Sequence, residues 1–346
     1  MSFFGVTVEE LESVVPHVNA DRLEVATLKG STFQFVVPKA TYKAGDQVLY
    51  FPLDAVLPAP VTDKLGLTGK LAGTKKDRIK TIKLRGEISQ GIVAPLDLLP
   101  LEFHGAKPEV ITEHFGVTKY DPPPNFTTDG ILLPLPPSLS MYDIESADRY
   151  QNILAELLKL ESVVVTEKLE GTNFSCLKTQ EGEIFVNQRS NTIQELEGVE
   201  NLYWQAARDQ GIIDYLKSQF TGEIAAYGEL IGPGVQGNYY KLKQRQVRIF
   251  DLKLNGRWVD YKTMRTLLEG APFECVPPLY MGGQLSTWLG DQTIKLASNG
   301  KSLLCPDRWR EGVVIRPFDQ EIYHQGFGRL VLKQHSPEYL ASSEAI

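Results

Sequence analysis

Lys168 sits in the run Val163-Val-Val-Thr-Glu-Lys-Leu-Glu-Gly171, in which strand-forming residues deliver one lysine into a Glu-Gly turn. A lysine amine is nucleophilic only when neutral, and from an ordinary pKa near 10.4 that state costs roughly 4.6 kcal/mol at pH 7. A site that uses the amine therefore needs positive charge beside it. A bound Mg²⁺ or Mn²⁺ would disfavour the ammonium and stabilise phosphate oxygens during in-line displacement of pyrophosphate. Mg²⁺ keeps much of its water and takes a few carboxylates rather than a closed protein cage. Glu170, Glu229 and Glu311, each beside a strand-like apolar run, are the candidate ligands. Lys333 is suited to clamp charge on an α-phosphate. Phe250, in the alternating run Val247-Arg-Ile-Phe-Asp-Leu252, is suited to stack on a nucleobase. Each has an ordinary reading when taken alone: Phe250 as a core aromatic, the glutamates as strand-edge residues, Arg189 as a surface residue after a hairpin.

Order gives these residues their meaning. Lys168-Leu-Glu-Gly-Thr-Asn173 is followed by Arg189-Ser190, Tyr227-Gly-Glu-Leu-Ile-Gly232, Arg248-Ile-Phe-Asp-Leu-Lys253, Glu311-Gly-Val-Val-Ile-Arg316 and Arg329-Leu-Val-Leu-Lys333. This series resembles motifs I, Ia, III, IIIa, IV and V of the covalent nucleotidyltransferases, the superfamily of ATP-dependent ligases and messenger RNA capping enzymes. The resemblance implies that Lys168 attacks the α-phosphate and carries the nucleotide as a phosphoramidate. It implies nucleotide contacts from Glu167, Asn173, Arg189, Glu229, Phe250 and Glu311, with Glu229 open to a second role as acceptor for the ribose 2′-hydroxyl. One departure stands out: many ligases carry Lys-x-Lys in motif V, whereas Val331 and His335 flank Lys333 here. Either one lysine suffices or another cation, such as Arg316 or Arg329, contributes.

The elements that position these residues divide the chain into 1–105, a proline-rich linker over 106–143, and 144–346. The first part reads as short strands at 23–28, 33–37, 47–51, 79–84 and 91–96, punctuated by Gly and Pro, which suits a small β-barrel. Pro16-His-Val-Asn-Ala-Asp-Arg-Leu-Glu-Val25 and Lys83-Leu-Arg-Gly-Glu-Ile-Ser-Gln-Gly91 resemble the signature of OB-fold transfer-RNA-binding domains. Lys75, Lys76, Arg78, Lys80, Lys83 and Arg85 give this segment a basic character in a chain of net charge −7, as a phosphate-tracking surface requires. The linker carries a proline run at 122–124 and is expected to be stiff. A helix expected over 144–158 places Arg149 upstream of motif I, where family members contact phosphates.

The expected fold class is α+β, an OB barrel followed by a nucleotidyltransferase domain of antiparallel sheets with flanking helices. An OB module ahead of motif I resembles the type-five RNA ligase family, over essentially the whole chain. DNA ligases and capping enzymes place theirs after motif V. The resemblance implies ATP-dependent sealing of a 3′-hydroxyl RNA end to a 5′-phosphate in nicked duplex RNA or an RNA/DNA hybrid. A GTP-using guanylyltransferase and a non-catalytic OB-fold RNA-binding protein are the alternatives.

Gly232-Pro-Gly-Val-Gln-Gly237 fits the dinucleotide fingerprint, but Pro233 and the following Asn-Tyr-Tyr open no helix. Gln236 and Lys241 on this loop are instead candidate nucleic-acid contacts. Asn299-Gly-Lys-Ser302 imitates the end of a P-loop, yet Lys295 stands where its first glycine belongs. Three cysteines without Cys-x-x-Cys spacing read as free thiols in a reducing, cytoplasmic compartment, with no structural zinc. No apolar stretch approaches membrane-span length, and no obligate protein partner is implied.

Overall fold

A computed structural model describes residues 4–120 and 131–342; the proline run at 122–124 lies outside the described residues. They form two compact units, 4–120 with 148–152 and 340–342, and 131–147 with 153–339.

In the first unit, strands Gln34–Pro38, Leu23–Leu28, Thr7–Pro16, Gln47–Phe51 and Ile92–Pro95 lie in that order in one antiparallel sheet. Gln47–Phe51 explains its own apolar run. Val48 and Tyr50 enter a core with Phe35 and Val37, while Leu49 and Phe51 enter a second core with Ile79, Ile111 and Phe115. Alternate residues face opposite sides, so a strand between two cores needs apolar residues throughout.

Three expectations change in this unit. Thr7–Pro16, the middle strand, was not anticipated, because its glutamates and a register shift between Leu11 and Ser13 break the apolar alternation. The strand expected over 79–84 shortens to Ile82–Leu84, paired with Glu87–Ser89 as a hairpin. The expected linker holds a helix, Pro108–Phe115, which starts at a proline and stops at left-handed Gly116 (φ 61°). It buries Ile111 and Phe115 in the second core.

The hairpin joins both halves of the OB signature. Arg85 (φ 48°) and Gly86 (φ 106°) form its tight tip. Asn19 N–H donates to His17 Nδ1 at 3.0 Å, which leaves His17 Nε2 to donate to Leu84 O, also 3.0 Å away. Asn19 Nδ2 donates to Arg85 O at 3.2 Å.

Two sheets build the second unit. In the larger, strands run in the order Leu132–Pro134, Asn191–Ile193, Ile184–Asn187, Thr172–Lys178, Ile224–Ile231, Gln246–Leu254 and Arg257–Trp258. One face packs on helices Leu202–Asp209, Ile212–Gln219 and Tyr261–Leu267 through Ala206, Ala207, Leu216 and Met264. The smaller sheet has the order Glu145–Ser146, Leu332–His335, Gly312–Pro317, Val163–Lys168 and Pro278–Gly283. The helix expected over 144–158 is confined to Gln151–Leu158, since Glu145–Ser146 is drawn into this sheet beside Leu332 and Lys333. Among the described residues, no helix is long and apolar enough to cross a membrane.

Candidate active site

The turn 169–171 passes from one sheet of the second unit to the other. Lys168 closes Val163–Lys168 in the smaller sheet, and Thr172 opens Thr172–Lys178 in the larger. Val163, Val164 and Val165 are fully buried, each contributing about 1.5–3 kcal/mol. A one-residue slip would turn Lys168 to the opposite face, and pairing with Gly312–Pro317 on one side and Pro278–Gly283 on the other holds the register that sets the direction of the amine. Gly171 is required by close approach: a Cβ there would lie 2.6 Å from Leu230 O and 2.8 Å from Glu229 Cγ. That contact brings the lysine turn against the strand carrying Glu229. Gly312 does the same on the other side, where a Cβ would meet Gln334 O at 2.1 Å. Lys168 pairs with Gly312, and Gly312 with His335, so the strands of Lys168, Glu311 and Lys333 lie side by side.

These elements enclose a pocket of about 210 Å³ lined by Glu167, Lys168, Asn173, Arg189, Glu229, Phe250, Arg316 and Lys333, together with Tyr142 and Asp143. Seven sequence candidates therefore share one cavity. Lys168 Nζ donates to Glu311 Oε1 at 2.5 Å. Burial works to lower the Lys168 pKa, but the carboxylates of Glu311, Glu229 and Glu170 outweigh it and hold it above the ordinary lysine value. Glu229 is pushed up to about 8 by burial, with Lys168 opposing and Glu311 and Glu170 adding to the rise. Lys333 moves down through burial and then the charge of Lys168. His335, 3.7 Å from Glu311 Oε1, is held well below the usual imidazole value by burial and by both lysines.

Three carboxylate oxygens, Glu167 Oε1, Glu311 Oε2 and Glu338 Oε2, are buried without a hydrogen-bond partner among the described residues, and the first two lie in or beside the motif strands. The other oxygen of Glu167 accepts from Leu303 N–H at 2.8 Å. A buried, unsatisfied carboxylate oxygen is costly unless a cation or donor joins it, so Glu311 Oε2 fits a divalent ion. Among the described residues no three His, Cys, Asp or Glu side chains converge on a metal position. A hydrated Mg²⁺-type ion takes one or two protein carboxylates and fills its shell with water and phosphate.

The remaining candidates are placed as follows. Phe250 packs against Tyr142 with ring centroids 4.8 Å apart, and Tyr142 donates its hydroxyl to Asp251 Oδ2 at 2.7 Å. Arg189 Nη2 meets both oxygens of Asp143, at 2.8 and 2.9 Å. Arg316 and Arg329, the alternative phosphate cations, are both committed to Asp251 and Glu321 at 2.7–3.0 Å. Lys333 lines the pocket and is not part of that ion-pair cluster. Arg149 belongs to the stretch grouped with the first unit, its guanidinium 5.8 Å from the Tyr150 ring centre. Gln236 and Lys241 sit on the loop after Ile224–Ile231 with φ of 40° and 54°, and Lys241 lies 3.5 Å from Asp307. In the first unit Lys75, Lys76, Lys83 and Arg85 are exposed. Arg78 is engaged by Asp54 at 2.7 Å and lies over the Tyr120 ring, and Lys80 is half-buried. Sequence reasoning missed Tyr142 and Asp143, which lie in the segment read as linker and carry no motif.

Comparison with known proteins agrees with this geometry. Residues 161–335 match the RNA ligase family model, and residues 5–96 match an OB-fold domain model. The solved structure of a Naegleria gruberi RNA ligase with PPi is similar over 98% of both chains, at 25% identity and a TM-score of 0.80. A lysine-to-methionine mutant of that ligase with AMP and Mn matches at 25% identity and a TM-score of 0.80, over 97% of each chain. A lysine-to-alanine mutant with ATP and Mn matches at 25% identity and a TM-score of 0.78, over 97% of this chain and 98% of that one. No curated protein matches the chain. With its family match spanning just over half its length and the motif lysine, glutamates and second lysine gathered at one pocket, the chain belongs to the RNA ligase family, a family of ATP-dependent enzymes.

Proposed function

We propose that this protein is an ATP-dependent RNA ligase that seals nicks between a 3′-hydroxyl RNA end and a 5′-phosphate, in RNA repair. The observation that carries the reading is the pairing of Glu311 with Lys168, which lines a pocket together with Glu229, Phe250 and Lys333. The similar Naegleria gruberi ligase structures with AMP and Mn and with ATP and Mn support the same nucleotide and metal class here.

Phe250 holds the base and Glu167 Oε1 offers it an acceptor, while Asn173, Arg189 and Glu229 serve ribose and phosphates. Glu311, with Glu229 and Glu170 near it, would hold a divalent cation. That cation supplies positive charge that disfavours the Lys168 ammonium and stabilises the phosphate oxygens. Lys168 passes one ammonium proton to Glu311 Oε1, its 2.5 Å partner, its Nζ lone pair attacks the α-phosphorus, and the amine gives up a second proton to water as the P–N bond forms. The bond to the bridging oxygen breaks, pyrophosphate leaves with that electron pair, and Lys168 carries AMP. Lys333 stabilises the extra charge on the α-phosphate as the bond order shifts. A substrate 5′-phosphate oxygen then attacks the same phosphorus, which frees Lys168 and leaves an AMP-capped end. Attack by the 3′-hydroxyl forms the phosphodiester and releases AMP. The OB unit, through Lys75, Lys76, Lys83 and Arg85, holds the nucleic acid, with Gln236 and Lys241 as further contacts. Only a strand end with 2′-hydroxyls lets a protein prefer RNA at the 3′ side.

The test is incubation of adenylate-free protein with a divalent metal and α-labelled ATP or GTP, then denaturing electrophoresis and mapping of the label. Label from ATP on Lys168, abolished in Lys168→Ala, is the expected result. Label from GTP alone would move the protein to guanylyl transfer, and no label from either would refute covalent catalysis.

A further inference from the structure

Two tyrosines outside the sequence motifs hold the turn that follows Lys168. Glu170 N–H donates to Tyr240 Oη at 2.6 Å, and Tyr339 Oη donates to Glu170 Oε2. Tyr339 is 4% exposed and meets Tyr239 edge-on at 6.0 Å; Tyr239 meets Tyr240 edge-on at 5.3 Å. The segment that carries Tyr339 is itself anchored in the site. Ser336 N–H donates to Glu311 O at 2.9 Å, and Tyr339 N–H donates to Ser336 Oγ at 3.2 Å. One short stretch therefore ties the backbone of Glu311 to the side chain of Glu170. It lies beyond residue 335, where the family match ends.

Glu170 is the carboxylate of the site with the least obvious footing. It does not line the pocket, yet its charge reaches both Lys168 and Glu229. A glutamate on a turn samples several rotamers, and only some place its charge toward those groups.

We propose that Tyr339 is a positioning residue for Glu170: its hydroxyl holds Oε2 in one rotamer and thereby sets how tightly the site takes a divalent cation together with the nucleotide. This rests on the reading of Glu170 as a carboxylate that serves the cation. Hydrogen-bond partners behind metal-serving groups commonly matter about tenfold or more in metal affinity. Tyr339→Phe keeps the ring in its buried seat and removes only the donor.

The experiment titrates Mn²⁺ against lysyl-AMP formation at fixed ATP, in full-length wild type and Tyr339→Phe, with thermal unfolding of both. Calorimetry of Mn·ATP binding in a Lys168→Met background, with and without Tyr339→Phe, reads affinity without turnover. The expected result is about a tenfold rise in half-saturating Mn²⁺, a matching loss of Mn·ATP affinity, and a saturated rate within about twofold of wild type. Glu170→Gln should erase the effect of Tyr339→Phe, because the two act as one unit. Unchanged manganese dependence, or an equal effect of Tyr339→Phe in the Glu170→Gln background, would overturn the proposal. Should Tyr339→Phe not fold, Glu170→Asp, which withdraws the carboxylate from an intact Tyr339, must raise the manganese requirement in the same way, and no rise overturns the proposal. Wild-type protein that forms no lysyl-AMP would instead refute the parent reading, and this inference with it.

Discussion

The pocket of the second unit and the hairpin of the first both concentrate charge, but they use it differently. Around Lys168, charged groups are partly or fully buried, of mixed sign, and shifted by one another: Glu311 raises Lys168, and Lys168 lowers Lys333 and His335. On the hairpin, Lys83 and Arg85 stand exposed. Buried charges interact strongly and cannot be altered one at a time, whereas exposed charges act nearly independently and through a screened field. Chemistry needs the first arrangement and retention of a phosphate backbone needs only the second.

The comparison is broken most directly at Arg316. It is 3% exposed, lines the pocket and bridges Asp251 and Glu321. Arg316→Met should cost about 3–5 kcal/mol in urea unfolding, because acidic groups are left with fewer counter-charges in a buried place. A cost below about 1 kcal/mol would mean that these charges are as independent as surface ones. Next in size is the pH response of lysyl-AMP formation. The Lys168 pKa is raised, so its neutral fraction grows about tenfold per pH unit below that value, and the rate at limiting ATP should climb from pH 6 to 9. Glu229, at about 8, gains its charge over the upper part of the same range. A flat profile would show that Lys168 is already neutral. The smallest effect belongs to the hairpin. Lys83→Ala with Arg85→Ala should lower the salt slope of nick binding by about 2 and weaken sealing severalfold, leaving lysyl-AMP formation unchanged. A loss of adenylation in that variant would erase the distinction between the two regions.

What the sequence disclosed follows the same line. Lys168, Glu229, Glu311 and Lys333 were legible because strand ends and tight turns fix where such residues go, and Gly171 and Gly312 mark the close approaches that bring them together. The partners of Phe250, Arg189 and Glu170 were not legible. Tyr142, Asp143, Tyr240 and Tyr339 take part through contacts between segments far apart in the chain, and nothing in local spacing distinguishes them from other core or surface residues. The OB unit shows the same limit in its backbone. The strand Thr7–Pro16 hid behind its glutamates and register shift, and the helix Pro108–Phe115 was read as linker although Pro108 and Gly116 are ordinary start and stop residues. A proline-rich neighbourhood masked a signal that was present.

Gly312 carries one more implication. Its hydrogen, where other residues have a Cβ, sets the spacing between the strand that follows Glu311 and the strand of Lys333. The tolerance of the pocket wall is thus narrower than one carbon atom at this position. Alanine there would leave every reacting group in the chain and still put the jaws of the vice out of alignment.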